Sequence, residues 1–84
     1  MIKILTPIQA KILIYLFENS NKKIWFSKLT REIKGTNSCV HKNILELNHL
    51  GLIEKIEDGR IKELKLTLKG IKVARLIIKI REVL

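Results

Sequence analysis

Apolar residues follow a helical period in four segments of this chain, and an extended period separates the third segment from the fourth. The first segment has a clear start, because Thr6 can cap a helix, Pro7 suits its first position and Gln9 completes a capping box. A helix is therefore predicted from there to about Asn19. Its buried side would consist of Ile8, Ile12, Leu13, Tyr15, Leu16 and Phe17.

A short apolar run and a second helical segment come next. Residues 23–26 are β-prone, but the run is long enough only for an edge strand or an extended linker. Ser27 can cap the helix that follows, and Gly35 suits its end. Its buried residues would be Leu29 and Ile33, which lie one helical turn apart. Because a third helix follows the glycine, the pattern predicts a helix-turn-helix.

The third helical segment, residues 36–50, is the centre of the pattern. Thr36, Asn37 and Ser38 can cap its start, and Gly51 stands where a helix can end in the left-handed conformation. A stripe for the core, at spacings of four and three, consists of Val40, Ile44 and Leu47. The opposite face carries Asn37, Ser38, His41, Lys42 and Asn43. A helix that is anchored on one side and offers hydrogen-bonding groups on the other suits the major groove of DNA.

Two extended runs, residues 52–57 and 61–66, flank an Asp-Gly pair that is typical of a β-hairpin. A two-residue turn at Asp58 and Gly59 would place like charges opposite each other, which is unfavourable. A three-residue loop over residues 57–59, with Gly59 left-handed, instead creates the pairs Glu54–Lys62 and Leu52–Leu64. We therefore predict this loop, in a hairpin over residues 52–66. Its buried face would consist of Leu52, Ile56, Leu64 and Leu66.

The last helical segment, residues 67–84, has more apolar residues than one core needs. Thr67 can cap its start. The residues predicted to face the domain are Leu68, Ile71 and Ile78. A second stripe, at spacings of four, three and four, consists of Val73, Ile77, Ile80 and Leu84. Because an uncovered apolar face favours association, we predict a homodimer through this helix.

The composition fits one small basic domain, residues 1–84. Hydrophobic residues make up 46% and aromatic residues 5%, which predicts an aliphatic core. Lys and Arg number 17 against 8 acidic residues, so the net charge is +9. This charge favours a polyanionic partner, nucleic acid before an anionic membrane surface, with solubility alone as the plain alternative. The abundance of Ile and Lys is a hint of a thermophilic source.

Several functional classes find no support in the sequence. Cys39 is the single cysteine, so no internal disulfide can form. No apolar run approaches the roughly 18 residues of a membrane span, and no signal peptide is indicated, so a cytoplasmic protein is expected. His41 and His49 are roughly 12 Å apart along a helix and cannot share one metal ion with Cys39. Without catalytic or phosphate-binding motifs, we expect no enzyme activity, no cofactor and no metal.

The order helix, short strand, helix, helix, two-stranded wing and helix resembles the winged helix-turn-helix fold, which is mainly α with a small β-hairpin. The chain also resembles the multiple-antibiotic-resistance repressor (MarR-like) family, and the likeness is carried by residues 5–7, 47–53, 58–60 and 66–70. The resemblance implies a dimer that holds two recognition helices in successive major grooves, with the wings on the backbone or minor groove. The chain is shorter than full-length members, so the ligand-binding cleft of the family is expected to be missing and no small-molecule ligand is predicted.

The residues predicted to contact double-stranded DNA lie on the second helix, the start of the recognition helix and the wing. They are Lys28, Thr36, Asn37, Ser38, Cys39, His41, Lys42, Arg60 and Lys62. Trp25 and Phe26 could form a stacking platform for single strands, but packing under the first helix is the simpler interpretation. Two other functions stay open: a protein–protein interaction module that uses the last helix, and a protein that coats DNA or RNA without sequence preference.

Overall fold

The computed structural model describes residues 6–33, 36–58 and 61–83. Four helices and three strands lie within these ranges, in the predicted order. They are α1 (Pro7–Glu18), β1 (Ile24–Trp25), α2 (Phe26–Ile33), α3 (Asn37–His49), β2 (Ile53–Asp58), β3 (Ile61–Leu66) and α4 (Leu68–Val83). The strands form one antiparallel sheet in the order β1-β3-β2. This architecture confirms the expected winged helix-turn-helix fold.

The start of α1 is fixed by the predicted capping box. Thr6 Oγ1 accepts a hydrogen bond from the Gln9 N–H at 3.2 Å, and the Thr6 N–H donates to Gln9 Oε1 at 3.3 Å. The helix ends at Glu18, where Asn19 is the C-cap and donates its side-chain amide to the Tyr15 carbonyl at 2.8 Å. Because these bonds satisfy backbone groups that a helix leaves free at its ends, local sequence determines where α1 begins and ends.

One cluster of aliphatic side chains fills the space between the helices and the sheet. Every helix and strand contributes at least one member, so the core holds all the elements together. The buried members are Ile12, Leu13, Leu16, Ile24, Leu29, Val40, Ile44, Leu47, Leu52, Ile53, Leu64 and Ala74. Phe26 packs against the outside of this cluster, as the core interpretation of that residue predicted.

Helix α2 begins two residues earlier than predicted, because a cap at Ser27 would make Lys28 the first helical residue. Its first residue is Phe26, so the expected cap, Ser27, lies inside the helix. Leu29 is fully buried and Ile33 packs against the core, in agreement with the predicted buried pair. The predicted end of this helix, at Gly35, lies outside the described residues.

The pairing of β2 with β3 differs from the predicted register. Asp58 lies opposite Ile61, so residues 59 and 60 are the only ones between the paired positions. The predicted three-residue loop is therefore wrong, and the Glu54–Lys62 and Leu52–Leu64 pairs do not form. Opposite charges meet in the observed register as well, in the pairs Glu54–Lys65 and Glu57–Lys62. Charge alone could not choose between the two, because both registers avoid like-charged neighbours. The predicted left-handed Gly59 lies outside the described residues.

The observed register also changes which residues of the hairpin are buried. Ile53 and Leu64 are buried, whereas Ile56 is 41% exposed on the other side of the sheet. The predicted buried face is therefore wrong for Ile56. The partner of Leu64 is Lys55 and not Leu52, a shift of three residues, and a shift by an odd number of residues moves a side chain to the opposite face. On the far side of β3, Ile24 pairs with Leu64, so β1 is the edge strand that its length allowed.

Helix α4 is rotated relative to the prediction. Its buried residues are Gly70 and Ala74, and Val73 and Ile77 pack against the core on the same side. The prediction that Val73 and Ile77 face away from the domain is therefore wrong. Leu68, which was expected to face the core, is 79% exposed. It precedes Gly70 by two residues, a rotation of about 200° around the helix.

The apolar residues that α4 exposes lie on a different side from the predicted stripe. Leu76 and Ile80 are each 60% exposed, and Val83 is 84% exposed. Because they are four and three residues apart, they form one surface, here called the α4 stripe. Leu84 lies outside the described residues. None of the helices in the described part of the chain is long and apolar enough to cross a membrane.

Candidate nucleic-acid interface

Helix α3 is anchored along one side and capped at its start. Val40 and Leu47 have no exposed surface and Ile44 is 1% exposed, so the predicted stripe is the buried side of this helix. At the N-terminus, Thr36 Oγ1 accepts a hydrogen bond from the Cys39 N–H at 3.2 Å. The cap and the buried stripe together fix which residues of α3 face outward.

The outward face of the N-terminal half of α3 carries Ser38, His41 and Lys42, all of which are exposed. Ser38 and Lys42 lie one turn apart, with His41 beside them, so the three side chains share one surface. Thr36 is exposed as well, although its hydroxyl is engaged in the cap. Asn37 is the first residue of the helix, and its side chain lies outside the described part of the structure.

Asn43 does not belong to this outward face, which corrects its predicted position. It is 9% exposed, and its Nδ2 donates a hydrogen bond to the Cys39 carbonyl at 2.8 Å. Its Oδ1 accepts from Thr6 Oγ1 at 3.3 Å. Cys39, predicted to contact DNA, is half-buried with its Sγ 3.6 Å from Asn43 Nδ2. Cys39 and Asn43 are one turn apart on the side of α3 that faces α1, whereas the predicted DNA-contact face lies elsewhere.

The contact between α1 and α3 is a line of hydrogen bonds that sequence reasoning missed. Gln9 is only 3% exposed, and its Nε2 donates to Glu46 Oε2 at 2.6 Å. Together with the Thr6–Asn43 bond, this contact forms what we call the polar seam. The same Gln9 side chain completes the capping box of α1, so one amide group both starts α1 and positions α3. The only sequence signal for this contact was Gln9 itself, because the capping box uses its side-chain oxygen and leaves its amide N–H groups free to donate.

The N-terminal half of α3 is also supported by α2. The His41 ring meets the Phe26 ring edge to face, with centroids 5.6 Å apart and an interplanar angle of 79°. Phe26 is half-buried and His41 is exposed, so the contact lies at the rim of the core. Lys28, another predicted DNA contact, is half-buried two residues further along α2.

The C-terminal end of α3 is tied to the start of α4. Gly51 has a φ angle of +77°, as its predicted role of ending the helix requires. Thr67 Oγ1 donates to the Gly51 carbonyl at 2.6 Å, and Lys69 Nζ donates to the Leu50 carbonyl at 3.1 Å. The Thr67 N–H donates to the Leu52 carbonyl at 3.1 Å. These bonds satisfy carbonyl groups at the helix end and join the two helices directly.

The described part of the wing carries nearly balanced charge. Lys62 is exposed but lies opposite Glu57, which also forms an ion pair with Lys55 at 3.6 Å. Arg60, predicted at the wing tip, lies outside the described residues. Over the described ranges, no three His, Cys, Asp or Glu side chains come together as ligands for a metal ion.

Neither a protein-family model nor a curated protein matches this sequence. Solved structures do match. MepR, a transcription regulator of the Staphylococcus aureus multidrug efflux pump MepA, superposes with a TM-score of 0.84 at 25% identity, over 90% of this chain and 57% of MepR. A variant of Lactococcus lactis ZitR superposes with a TM-score of 0.82 at 26% identity, over 98% of this chain and 56% of ZitR. AF1382 from Archaeoglobus fulgidus gives a TM-score of 0.87 at 22% identity, over 95% of this chain and 90% of AF1382.

This chain thus spans little more than half the length of MepR and of ZitR. A structure of MepR in complex with DNA also matches, at 22% identity and a TM-score of 0.84. These neighbours are MarR-family winged-helix transcription regulators, so the resemblance noted in the sequence is confirmed. The chain has the winged helix-turn-helix fold and is structurally similar to MarR-family transcription regulators.

Proposed function

We propose that this chain binds double-stranded DNA as a homodimeric transcription regulator and recognises a specific sequence. Helix α3 would enter the major groove, and the wing would lie on the backbone or the minor groove. The observation that carries the proposal is the division of α3 into a fully buried stripe and an exposed polar face. Such a helix can enter a groove without giving up its core contacts. The net charge of +9 supports binding to phosphates.

The exposed side chains of α3 have the chemistry that this role needs. The hydroxyl of Ser38 and the imidazole of His41 can each donate or accept a hydrogen bond at a base edge. Lys42 can contact guanine or phosphate, and the N-terminus of α3 adds positive potential. We assign phosphate contacts to Lys28 and Lys62. Thr36, Asn37 and Arg60 complete the proposed set. Cys39, which was also predicted from the sequence, lies beside Asn43 on the side of α3 that faces α1 and is therefore left out of it.

The homodimer is proposed on the basis of the α4 stripe. Leu76, Ile80 and Val83 form a continuous apolar surface on a 16-residue helix, a feature that in monomeric proteins is usually covered. A second copy of the same helix can cover it by two-fold symmetry, because such an interface uses one surface patch twice. Of the predicted interface residues, Ile80 lies on this stripe, whereas Val73 and Ile77 lie beside it on the core side.

The structural neighbours agree with the proposal at a coarser level. MepR is a transcription regulator, and its complex with DNA has the same fold in the part that matches this chain. The match spans 90% of this chain but only 57% of MepR, so it supports the general role and does not assign individual residues.

The proposal is tested by measuring fluorescence anisotropy of a random pool of duplex DNA over a salt series, with sequencing of the bound fraction. An enriched inverted repeat is the expected result. His41→Ala and Lys42→Ala should each weaken binding to that repeat, and loss of a phosphate contact should reduce the salt slope by about 1. Lys72→Ala, an exposed lysine on α4, is the matched control and should change the slope less.

Other outcomes would lead to the alternative functions. Tight binding without sequence enrichment would contradict specific regulation and favour a protein that coats nucleic acid. An absence of binding even at about 50 mM salt would contradict DNA binding altogether. The α4 stripe would then be tested as a surface for another protein.

A further inference from the structure

The edge-to-face contact between Phe26 and His41 gives the recognition surface a fixed element. A centroid distance of 5.6 Å and an interplanar angle of 79° lie within the range of favourable aromatic pairs. His41 is exposed on the outward face of α3, whereas Phe26 belongs to α2. The contact therefore bridges the two helices of the helix-turn-helix at the surface proposed to meet DNA.

Three features of the structure fix the position of Phe26: its backbone connection to β1, a hydrogen bond to its carbonyl, and packing of its ring. It follows Trp25, which pairs with Glu63 in the sheet, so its backbone continues directly from β1. Its carbonyl accepts a hydrogen bond from Thr30 Oγ1 at 2.9 Å, and its ring packs against the core. The position of the Phe26 ring is therefore fixed by its own contacts and does not depend on the rotamer of His41. The ring limits the space that the His41 side chain can occupy on that side.

An exposed histidine on a helix normally exchanges between several rotamers, and binding must select one of them. Contact with the Phe26 ring reduces the number of rotamers available to His41 before DNA binds. The imidazole stays accessible for hydrogen bonding, because His41 is exposed. Restricting a side chain in this way improves affinity by about three- to tenfold, since less freedom is lost on binding.

We propose that Phe26 is a positioning residue for His41, and that the pair determines the base preference at the position that His41 contacts. This inference rests on the proposed function, because it assigns a role within DNA recognition. Phe26 makes no contact with DNA in this proposal. It acts only through the orientation of the imidazole.

The contact can be tested without DNA. In a proton NMR spectrum of the free protein, the imidazole protons of His41 should carry a ring-current shift from Phe26. His49, the other of the two histidines, lies at the far end of α3 and is the internal control. The ring-current shift should disappear in Phe26→Leu, which keeps an apolar side chain at the rim of the core. Equal chemical shifts for both histidines in the unmodified protein would overturn the proposal.

The role in recognition is tested by a double-mutant cycle on the selected DNA site. Phe26→Leu should weaken binding about three- to tenfold. It should also reduce the base preference at the same position of the DNA site where His41→Ala reduces it. In the His41→Ala background, Phe26→Leu should have no further effect, because the side chain that it positions is gone. Phe26→Tyr, which keeps the ring, should restore both affinity and base preference.

Phe17→Leu is the matched control, since Phe17 is the only other phenylalanine and also packs half-buried against the core. Phe17→Leu removes a similar amount of packing beside α4 and leaves the Phe26–His41 contact in place, so it should leave the base preference unchanged. Independent effects of Phe26→Leu and His41→Ala would overturn the positioning role and leave the proposed function intact. Failure of the unmodified protein to bind any DNA would instead overturn both.

Discussion

Gly70 lies at a close approach between α4 and the turn that follows α3, so its replacement by alanine tests how tightly these elements are joined. A Cβ atom at this position would lie 1.9 Å from the Leu52 carbonyl oxygen, whereas real Cβ atoms keep a distance of at least 3.0 Å from such neighbours. The obstacle is a backbone atom, which cannot rotate away as a side chain would. The Leu52 carbonyl or the whole of α4 would have to move by about 1 Å.

The magnitude follows from three contributions. Insertion of a methyl group into a packed contact costs about 1–3 kcal/mol. The Leu52 carbonyl also accepts the Thr67 N–H at 3.1 Å, and weakening this hydrogen bond costs about 1 kcal/mol. Against this, alanine favours a helix over glycine by about 1 kcal/mol. We therefore expect Gly70→Ala to lower the free energy of unfolding by about 1–3 kcal/mol, or about 5–20 °C in Tm for a domain of this size.

The assay is urea denaturation followed by circular dichroism, at one fixed protein concentration because dimerisation would make stability depend on it. Gly51→Ala is the matched control. Gly51 has a φ angle of +77° but no atom within 4 Å of an added Cβ, so only backbone strain of about 1 kcal/mol is expected there. If Gly70→Ala were as stable as the unmodified protein or more stable, helix propensity would outweigh the contact. The close approach of α4 to Leu52 would then be refuted.

Three further predictions concern the other supports of the fold and the proposed dimer. Gln9→Glu replaces the donor to Glu46 by a carboxylate, so the free energy of unfolding should fall by about 1–3 kcal/mol in the same denaturation assay. Ile80→Glu places a charge on the α4 stripe, so the mass measured by light scattering should fall from that of a dimer to that of a monomer. Lys72→Glu is the control and should leave the mass unchanged. An unchanged mass for Ile80→Glu would argue against this interface. Thr36→Ala should lower stability by about 1 kcal/mol through loss of the α3 cap, and Thr36→Ser should recover most of it in the same denaturation assay.

The parts of the fold that could be predicted are those that local chemistry determines. The capping box of Thr6 and Gln9 and the buried stripe of α3 depend on residues within one helix, and both are present. The left-handed Gly51 is another local feature, because glycine alone adopts that conformation without penalty. Each of these signals spans only a few residues.

The predictions that were wrong depend on contacts between distant elements. In the observed rotation of α4, Gly70 faces the Leu52 carbonyl, and its small size matters only because that carbonyl approaches it from elsewhere in the chain. Asn43 was predicted to be exposed because it is polar. It is buried instead, and its amide group forms hydrogen bonds with Thr6 and with the Cys39 carbonyl. A polar residue on a helix can therefore face a neighbouring helix whenever that neighbour supplies a partner. Such a partner is invisible in a periodic pattern.

Helix α3 has one support for each part of its length: two come from other helices, and the third comes from the residue that directly precedes α4. Phe26 of α2 meets its N-terminal half, Gln9 of α1 binds Glu46 further along, and Thr67 holds the turn at its end. The last support matters most for a dimer, because α4 begins directly after Thr67 and also carries the α4 stripe. If two copies pair through that stripe, the distance between their recognition helices follows from the geometry of α4 without an intervening flexible linker. A change at the dimer interface would then directly alter the half-site spacing that the dimer prefers in DNA.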